Sequence, residues 1–295
     1  FDNTEFDEAA LAEKIAAHYD TSHRTQRVKG TDFHAEYQRL CGAMDQPSID
    51  GVNTYFVSKV TAETGLKVAM SGLGGDELFG GYPSFQEIPR LAGTLGKIPG
   101  MRCAGRAFRT IAGPAISAVK SPKYAGLFEY GTTYADAYLL RRALFMPWEL
   151  PKLMDTASAR DGWAELEETT GRRSQVDGLP TPRSKVSALE ATWYMRHQLL
   201  RDSDWAGMAH SLEIRVPLVD TVFFRRIAPM LVSDTPPGKR DMAASPTKPL
   251  LDEVLNRPKT GFAVPMPNWL LKDDPAALKQ GYRGWLHKIV EDCYA

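Results

Sequence analysis

The chain has 295 residues, 43% apolar and 24% charged, a balance that suits one large globular domain or two small ones and excludes a disordered or fibrous chain. Lys and Arg together number 36, as do Asp and Glu, so the formal net charge is zero, no polyanion-binding surface is indicated and no nucleic-acid partner is expected. No apolar run reaches the ~18 residues of a membrane span, so no membrane partner is expected either.

The chain opens on Phe1 rather than Met and reads as a fragment of a longer protein; its first ten residues, FDNTEFDEAA, are acidic and unlike a signal peptide. Residues 7–19 predict an amphipathic helix, with Asp7 as N-cap, Phe6 and Leu11 as a hydrophobic staple, and Leu11, Ile15, His18 and Tyr19 on one face. Thr25–Val28 predicts a short edge strand. After Asp50 a second helix is expected, with Val52, Tyr55, Phe56 and Val60 on one face and Gly65 closing it. The apolar run LKVAMSG, residues 66–72, predicts a buried, central strand of a parallel sheet. Beyond residue 90 the character changes: 93–126 is rich in Gly, Pro and Ala, 134–146 and 186–201 predict helices, 171–184 a loop, and 247–256 a further short helix. The organisation read from this is an α/β part, residues 1–92, followed by a mainly helical part, residues 93–295. Cys41, Cys103 and Cys293 are odd in number and widely spaced, which predicts neither a disulfide framework nor a zinc site and suits a reducing cytoplasm.

The most informative stretch is SGLGGDELFGGYPSF, residues 71–85. Ser71 ends the predicted strand, and Gly72, Gly74 and Gly75 let the backbone turn sharply and present its N–H groups. Ligands of open α/β sheets bind at the carboxyl ends of strands. Asp76 and Glu77 set carboxylates beside that turn, a donor set suited to Mg²⁺ shared with a nucleotide. A GxGG turn beside two solvated acids is by itself an ordinary loop, and Glu77 stands where the dinucleotide fingerprint needs its third glycine.

The whole string is far more specific. SGLGGDELFGGY closely resembles the signature of the asparagine synthetase family, and MAHSLEIRVPLVD (208–220), preceded by Asp204, and RPKTGF (257–262) resemble two further family blocks in the family's order. DQPSIDGVNTYFVSK (45–59) fits the helix before the signature, so the resemblance spans nearly the whole chain. It implies an ATP-pyrophosphatase-type α/β fold with a helical C-terminal part, and an ATP-dependent ligase that adenylates a carboxylate, aspartate in the family's namesake, for attack by ammonia from glutamine. By resemblance Ser71, Gly72, Leu73, Gly74 and Gly75 belong to the ATP and substrate cradle. The resemblance also implies that Asp76 is a Mg²⁺ ligand and that Lys259 is the catalytic cation that neutralises the transferring phosphate and leaving pyrophosphate. Glu213, Arg215 and Asp220 read as structural, and His210 as packed. A cytoplasmic enzyme is implied, and a homodimer is among the assemblies allowed.

Two departures qualify this. Leu73 stands where true asparagine synthetases commonly carry an acid, and leucine can neither take a proton nor hold ammonium, which puts asparagine as the product in doubt. The family's SGGxDS pyrophosphate loop and its N-terminal glutaminase with a catalytic first cysteine are also missing from this sequence. The chain thus reads as starting inside the synthetase domain and as inactive by itself, with a glutaminase domain expected upstream. The alternatives are an amidotransferase or amide-forming cyclase acting on a different carboxylate, and an inactive nucleotide-binding scaffold.

Overall fold

The computed structural model describes residues 9–171, 174–256 and 264–294. In chain order, helices α1 (Ala9–His18), α2 (Gly30–Ala43) and α3 (Gly51–Glu63) lead to strand β1 (Val68–Met70). Then come α4 (Gly75–Phe79), α5 (Ser84–Leu95), α6 (Met101–Val119), α7 (Leu127–Tyr130), α8 (Tyr134–Arg142), α9 (Thr156–Thr170) and α10 (Pro182–Leu189). A π-helical stretch, Glu190–Leu199, runs into α11 (Leu200–Met208), followed by strand β2 (Glu213–Arg215) and α12 (Thr221–Leu231). The chain ends with α13 (Lys239–Ala244), α14 (Asp252–Leu255), α15 (Met266–Leu270), α16 (Pro275–Lys279) and α17 (Tyr282–Tyr294). The class is α/β, mostly helical with a small parallel sheet. Two compact units divide it: residues 1–73, 196–223 and 237–295 form the first, and residues 74–195 and 224–236 the second.

The first unit has an aromatic core. Phe33 and Tyr37 of α2, Tyr55 and Phe56 of α3, Trp205 of α11, Trp269 of α15 and Trp285 of α17 are all buried, and the Phe33 ring lies 5.5 Å from Trp269 and 5.9 Å from Trp285. Rings of this size dominate core energetics, and the Trp285 indole N–H is satisfied by the Ser48 carbonyl at 2.9 Å. Asp202 of α11 is buried in this unit, accepting hydrogen bonds from Ser48 Oγ at 2.7 Å and Trp205 Nε1 at 2.9 Å. Burial, opposed by those bonds and reinforced by Asp50 and Asp45, raises its pKa from 3.8 to about 6.

In the same unit β1 and β2 pair in parallel, Val68 against Glu213, Ala69 against Ile214 and Met70 against Arg215. Flanking bonds extend the ladder: Glu213 N–H donates to the Lys67 carbonyl at 2.9 Å and Ser71 N–H to the Arg215 carbonyl at 2.8 Å. Parallel pairing is as expected, but burial at the centre of a sheet is not. Among the described residues the sheet has two strands, hence two edges and no centre, and Val68 and Met70 are 39% and 77% exposed.

Other expectations are corrected similarly. Thr25–Val28 forms no strand, having no pairing partner among the described residues; Val28 instead buries its side chain in the aromatic core. Residues 174–176 make a 3₁₀ turn rather than open loop, because Val176 is buried and Gln175 Oε1 accepts from Thr192 Oγ1 and Trp193 Nε1. Cys41 and Cys293 are joined in a disulfide, Cα–Cα 5.3 Å, against the expectation of none. A separation of 252 residues hides the neighbourhood of α2 and α17, which Tyr37 Oη also ties together through Asp292 at 2.8 Å. The proposed cap Asp7 and staple residue Phe6 lie outside the described residues.

The second unit packs Ile88 of α5, Ala137 and Tyr138 of α8, and Val186 and Leu189 of α10 into a smaller core. Its interior also holds charge: Glu77, Glu129, Asp136, Glu149 and Glu190 are all buried.

Candidate active site

The signature passes from the first unit to the second between Leu73 and Gly74. In the first unit Ser71 leaves the ladder after its bond to Arg215. Its hydroxyl oxygen then accepts the Leu73 N–H at 3.4 Å, a local turn that diverts the chain from the strand. Gly72 is exposed and Leu73 half-buried. In the family block after α11, Glu213 and Arg215 pair on the surface of β2 at 2.9 Å, and Asp220 Oδ1 accepts the Phe223 N–H at 2.8 Å, capping α12. His210 packs edge-on against Tyr55 at 4.4 Å.

In the second unit Gly74 has φ +95°, a conformation that side-chain-bearing residues rarely adopt, and its carbonyl accepts the Leu78 N–H at 3.0 Å to start α4. Gly80, φ +70°, ends the helix, and the Gly81 N–H returns to the Asp76 carbonyl at 2.9 Å. The glycines at the two ends thus impose one tight helical turn between strand and loop. Gly74 and Gly75 are buried and Asp76 is half-buried.

The two adjacent acids have opposite surroundings. Glu77 is 1% exposed, and Tyr82 Oη donates to its Oε1 at 2.8 Å. Burial, partly opposed by that bond and reinforced by Asp76 and Glu190, raises its pKa. Tyr82 is gripped in turn: the Arg142 guanidinium sits 4.4 Å over its ring and 3.7 Å over that of Tyr194. Arg142 pairs with Glu190, Nη2 to Oε2 at 2.8 Å with Nε bonds at 3.0 and 3.2 Å, and the fully buried Glu190 also accepts from Ser84 Oγ at 2.5 Å. Ser187 Oγ and Arg183 Nη2 hold the Glu77 and Leu78 carbonyls of α4 at 2.7 and 3.3 Å. Glu77 is therefore the scaffold acid of the pair. Arg142 and Glu190 are positioning residues absent from the sequence reading, because they lie far along the chain from the signature and in no motif of it.

Lys259, with the whole RPKTGF block, lies outside the described residues except for its flanks. Among the described residues, no group of three or more His, Cys, Asp or Glu side chains is placed to hold a metal. At α4 Asp76 offers one half-buried carboxylate.

The sequence profile described as Asparagine synthase matches residues 1–281. The chain belongs to the asparagine synthase family. Similar curated proteins are the "Asparagine synthetase [glutamine-hydrolyzing] 1" of Bacillus subtilis, 26% identical over 306 residues, covering 99% of this chain and 44% of that protein, and a "Putative asparagine synthetase [glutamine-hydrolyzing]" of Mycobacterium bovis, 26% identical over 281 residues, covering 92% and 41%. A putative asparagine synthetase of Methanocaldococcus jannaschii is 31% identical over 86 residues, covering 28% of this chain and 16% of that protein. This asparagine synthase family chain thus spans under half the length of the relatives it matches over most of its own length. No solved structure matches it significantly.

Proposed function

We propose that this chain is the synthetase part of an ATP-dependent, amide-forming ligase that activates a carboxylate as its acyl-adenylate and passes it to ammonia derived from glutamine. Support comes from family membership together with the geometry of the signature, and the observation that carries the reading is the contrast inside it. Glu77 is buried and bonded to Tyr82 on the scaffold, whereas Asp76 stands half-buried beside the two glycines.

In this reading the backbone from Ser71 to Gly75 cradles ATP and substrate in an ATP-pyrophosphatase-type domain, and Asp76 would hold Mg²⁺. The metal would neutralise phosphate charge as pyrophosphate leaves. Lys259 supplies a fixed cation to the same phosphates, where charge grows in the transition state. An upstream glutaminase domain is the partner that the relatives' names suggest. Aspartate is the first acid to test. Leu73 favours a second carboxylate, because an apolar side chain there offers nothing to a proton or to ammonium.

The test is pyrophosphate release by the longest natural polypeptide containing this chain, across a panel of carboxylates with ATP and Mg²⁺. Release dependent on one acid, with AMP in equal amount, is the expected result. ATP binding without pyrophosphate release for any acid would replace the ligase with a nucleotide-binding scaffold.

A further inference from the structure

Helix α4, Gly75–Phe79, is little more than one turn, far below the ~12–15 residues at which a helix begins to hold itself in water. The Gly74 carbonyl accepts the Leu78 N–H at 3.0 Å, and the Asp76 carbonyl accepts from Gly80 and, at 2.9 Å, from Gly81. The chain then leaves the helix at Gly80, φ +70°, so the carbonyls of Glu77 and Leu78 have no further turn to accept from. A helix this short keeps its shape through the groups that satisfy those two carbonyls.

Both are gripped from α10, in the same unit. Ser187 Oγ donates to the Glu77 carbonyl at 2.7 Å and Arg183 Nη2 to the Leu78 carbonyl at 3.3 Å. The two donors stand four residues apart and so share one face of α10. Helix α10 is itself well fastened. Val186 and Leu189, on an adjoining face, are fully buried in the core of the unit. Pro182 opens its first turn, and Thr181 and Ser184 cap it reciprocally: Ser184 N–H donates to Thr181 Oγ1 at 3.0 Å and Thr181 N–H to Ser184 Oγ at 3.1 Å. Arg183 is steadied at its other nitrogen, where Nη1 donates to the Pro236 carbonyl at 3.4 Å. A fastened helix thus offers two fixed donors to a turn too short to hold itself. Residue 77 is tied twice, its main chain by Ser187 and its side chain by Tyr82 at 2.8 Å.

We propose that Arg183 and Ser187 are positioning residues that set the direction of the Asp76 carboxylate. The inference rests on the reading of Asp76 as a residue of the adenylation site and adds to that site two residues from outside the signature. Their action passes through the peptide groups that follow Asp76: with the Glu77 and Leu78 carbonyls held, the turn that carries Asp76 has one orientation. Removing the Ser187 hydroxyl releases the Glu77 peptide while the alanine that remains keeps the Cβ packing. The expected result is a turn that opens more often inside a unit that stays folded. A reacting group displaced by a fraction of an ångström loses rate more than substrate binding.

The test uses the longest natural polypeptide containing this chain. Ser187→Ala and Ser187→Thr are compared with the parent in amide hydrogen exchange over residues 74–81, in single-turnover adenylation at saturating ATP, in ATP affinity and in denaturant unfolding. Ser187→Ala should speed exchange over 74–81 by ~5-fold and slow adenylation by a similar factor, the worth of one hydrogen bond, with ATP affinity and the unfolding midpoint close to parental. Ser187→Thr keeps the hydroxyl and should recover both. Arg183→Met should act in the same direction by ~10-fold or more, because its donor is charged, and Arg183→Lys should recover part of the loss; this second pair carries the test should either Ser187 variant fail to fold. The inference alone is overturned by parental exchange over 74–81, by faster exchange with a parental adenylation rate, or by an adenylation loss that follows a lowered unfolding midpoint and that neither threonine nor lysine recovers. A parent that adenylates no acid overturns the ligase reading, and the inference with it.

Discussion

On β2, Glu213 and Arg215 pair at 2.9 Å with 59% and 61% of their side chains exposed; in the second unit, Glu190 and Arg142 pair at 2.8 Å with 0% and 22% exposed. Chemistry and distance are nearly the same, and the surroundings reverse the meaning. Water screens the first pair, which fastens little. In the second the carboxylate is wholly buried and the guanidinium largely so, and each member depends on the other, on Ser84 and on the rings of Tyr82 and Tyr194. A smaller difference in burial separates the neighbours Asp76, half-buried, and Glu77, 1% exposed. An ionisable group in this molecule is read by what it is fastened to, not by its place in a motif.

The largest expected effect breaks that comparison directly. Arg142→Met leaves Glu190 buried without its cation and should cost about 3–5 kcal/mol in denaturant unfolding. Arg215→Met, at the exposed pair, should leave the midpoint where it is. Equal effects would dissolve the distinction. Asp202 sharpens it in the first unit. Its folded pKa, about 6, lies above its ordinary 3.8, so the folded chain holds the proton more tightly. Stability from this group is therefore fully present below about pH 4 and lost as pH rises to about 6, with a limit of about 3 kcal/mol at 1.36 kcal/mol per pKa unit. Asp202→Asn should flatten the pH slope of unfolding across that window, and an unchanged slope would remove the assignment.

Lys259 extends the comparison from stability to rate. In the full-length protein Lys259→Ala should lower single-turnover adenylation by ~10²-fold, as for loss of another preorganised charge-stabilising group, with ATP affinity much less affected. Weak ATP binding with an unchanged rate at saturation would make it a binding residue. The smallest effect is local: Gly74→Ala, at φ +95°, should cost about 1–2 kcal/mol in the same unfolding experiment, and no cost would mean that the turn does not require glycine.

What was legible in the sequence was what short segments dictate by themselves. The glycines of the signature, the strand that enters it, helix α3 with Gly65 just beyond its end, and helices expected over 134–146 and 186–201, found over 134–142 and 182–208, follow from local pattern. The rest depends on distant neighbours. Residues 66–72 are apolar enough for a buried strand, yet a central place in a sheet requires strands on both sides, and among the described residues β1 has one. Cys41 and Cys293 meet only because α17 packs beside α2. Arg142 and Glu190 carry no motif, and only the folded chain sets them under Tyr82. Asp76 and Glu77 looked alike in sequence because nothing local distinguishes a half-buried acid from one buried against a tyrosine. Lys259 rests on the sequence resemblance, outside the described residues.

The division of labour between those two acids is the central claim, and one paired measurement addresses it. In the full-length protein, adenylation is followed against Mg²⁺ concentration for Asp76→Asn and Glu77→Gln, each beside an unfolding curve. Asp76→Asn should lose adenylation at limiting Mg²⁺ while unfolding like the parent, because an amide oxygen is a poorer ligand for a hard cation than a carboxylate. Glu77→Gln should keep the parent's Mg²⁺ dependence. Asp76→Asn with parental rates at limiting Mg²⁺, or Glu77→Gln with the altered metal dependence instead, would contradict the account.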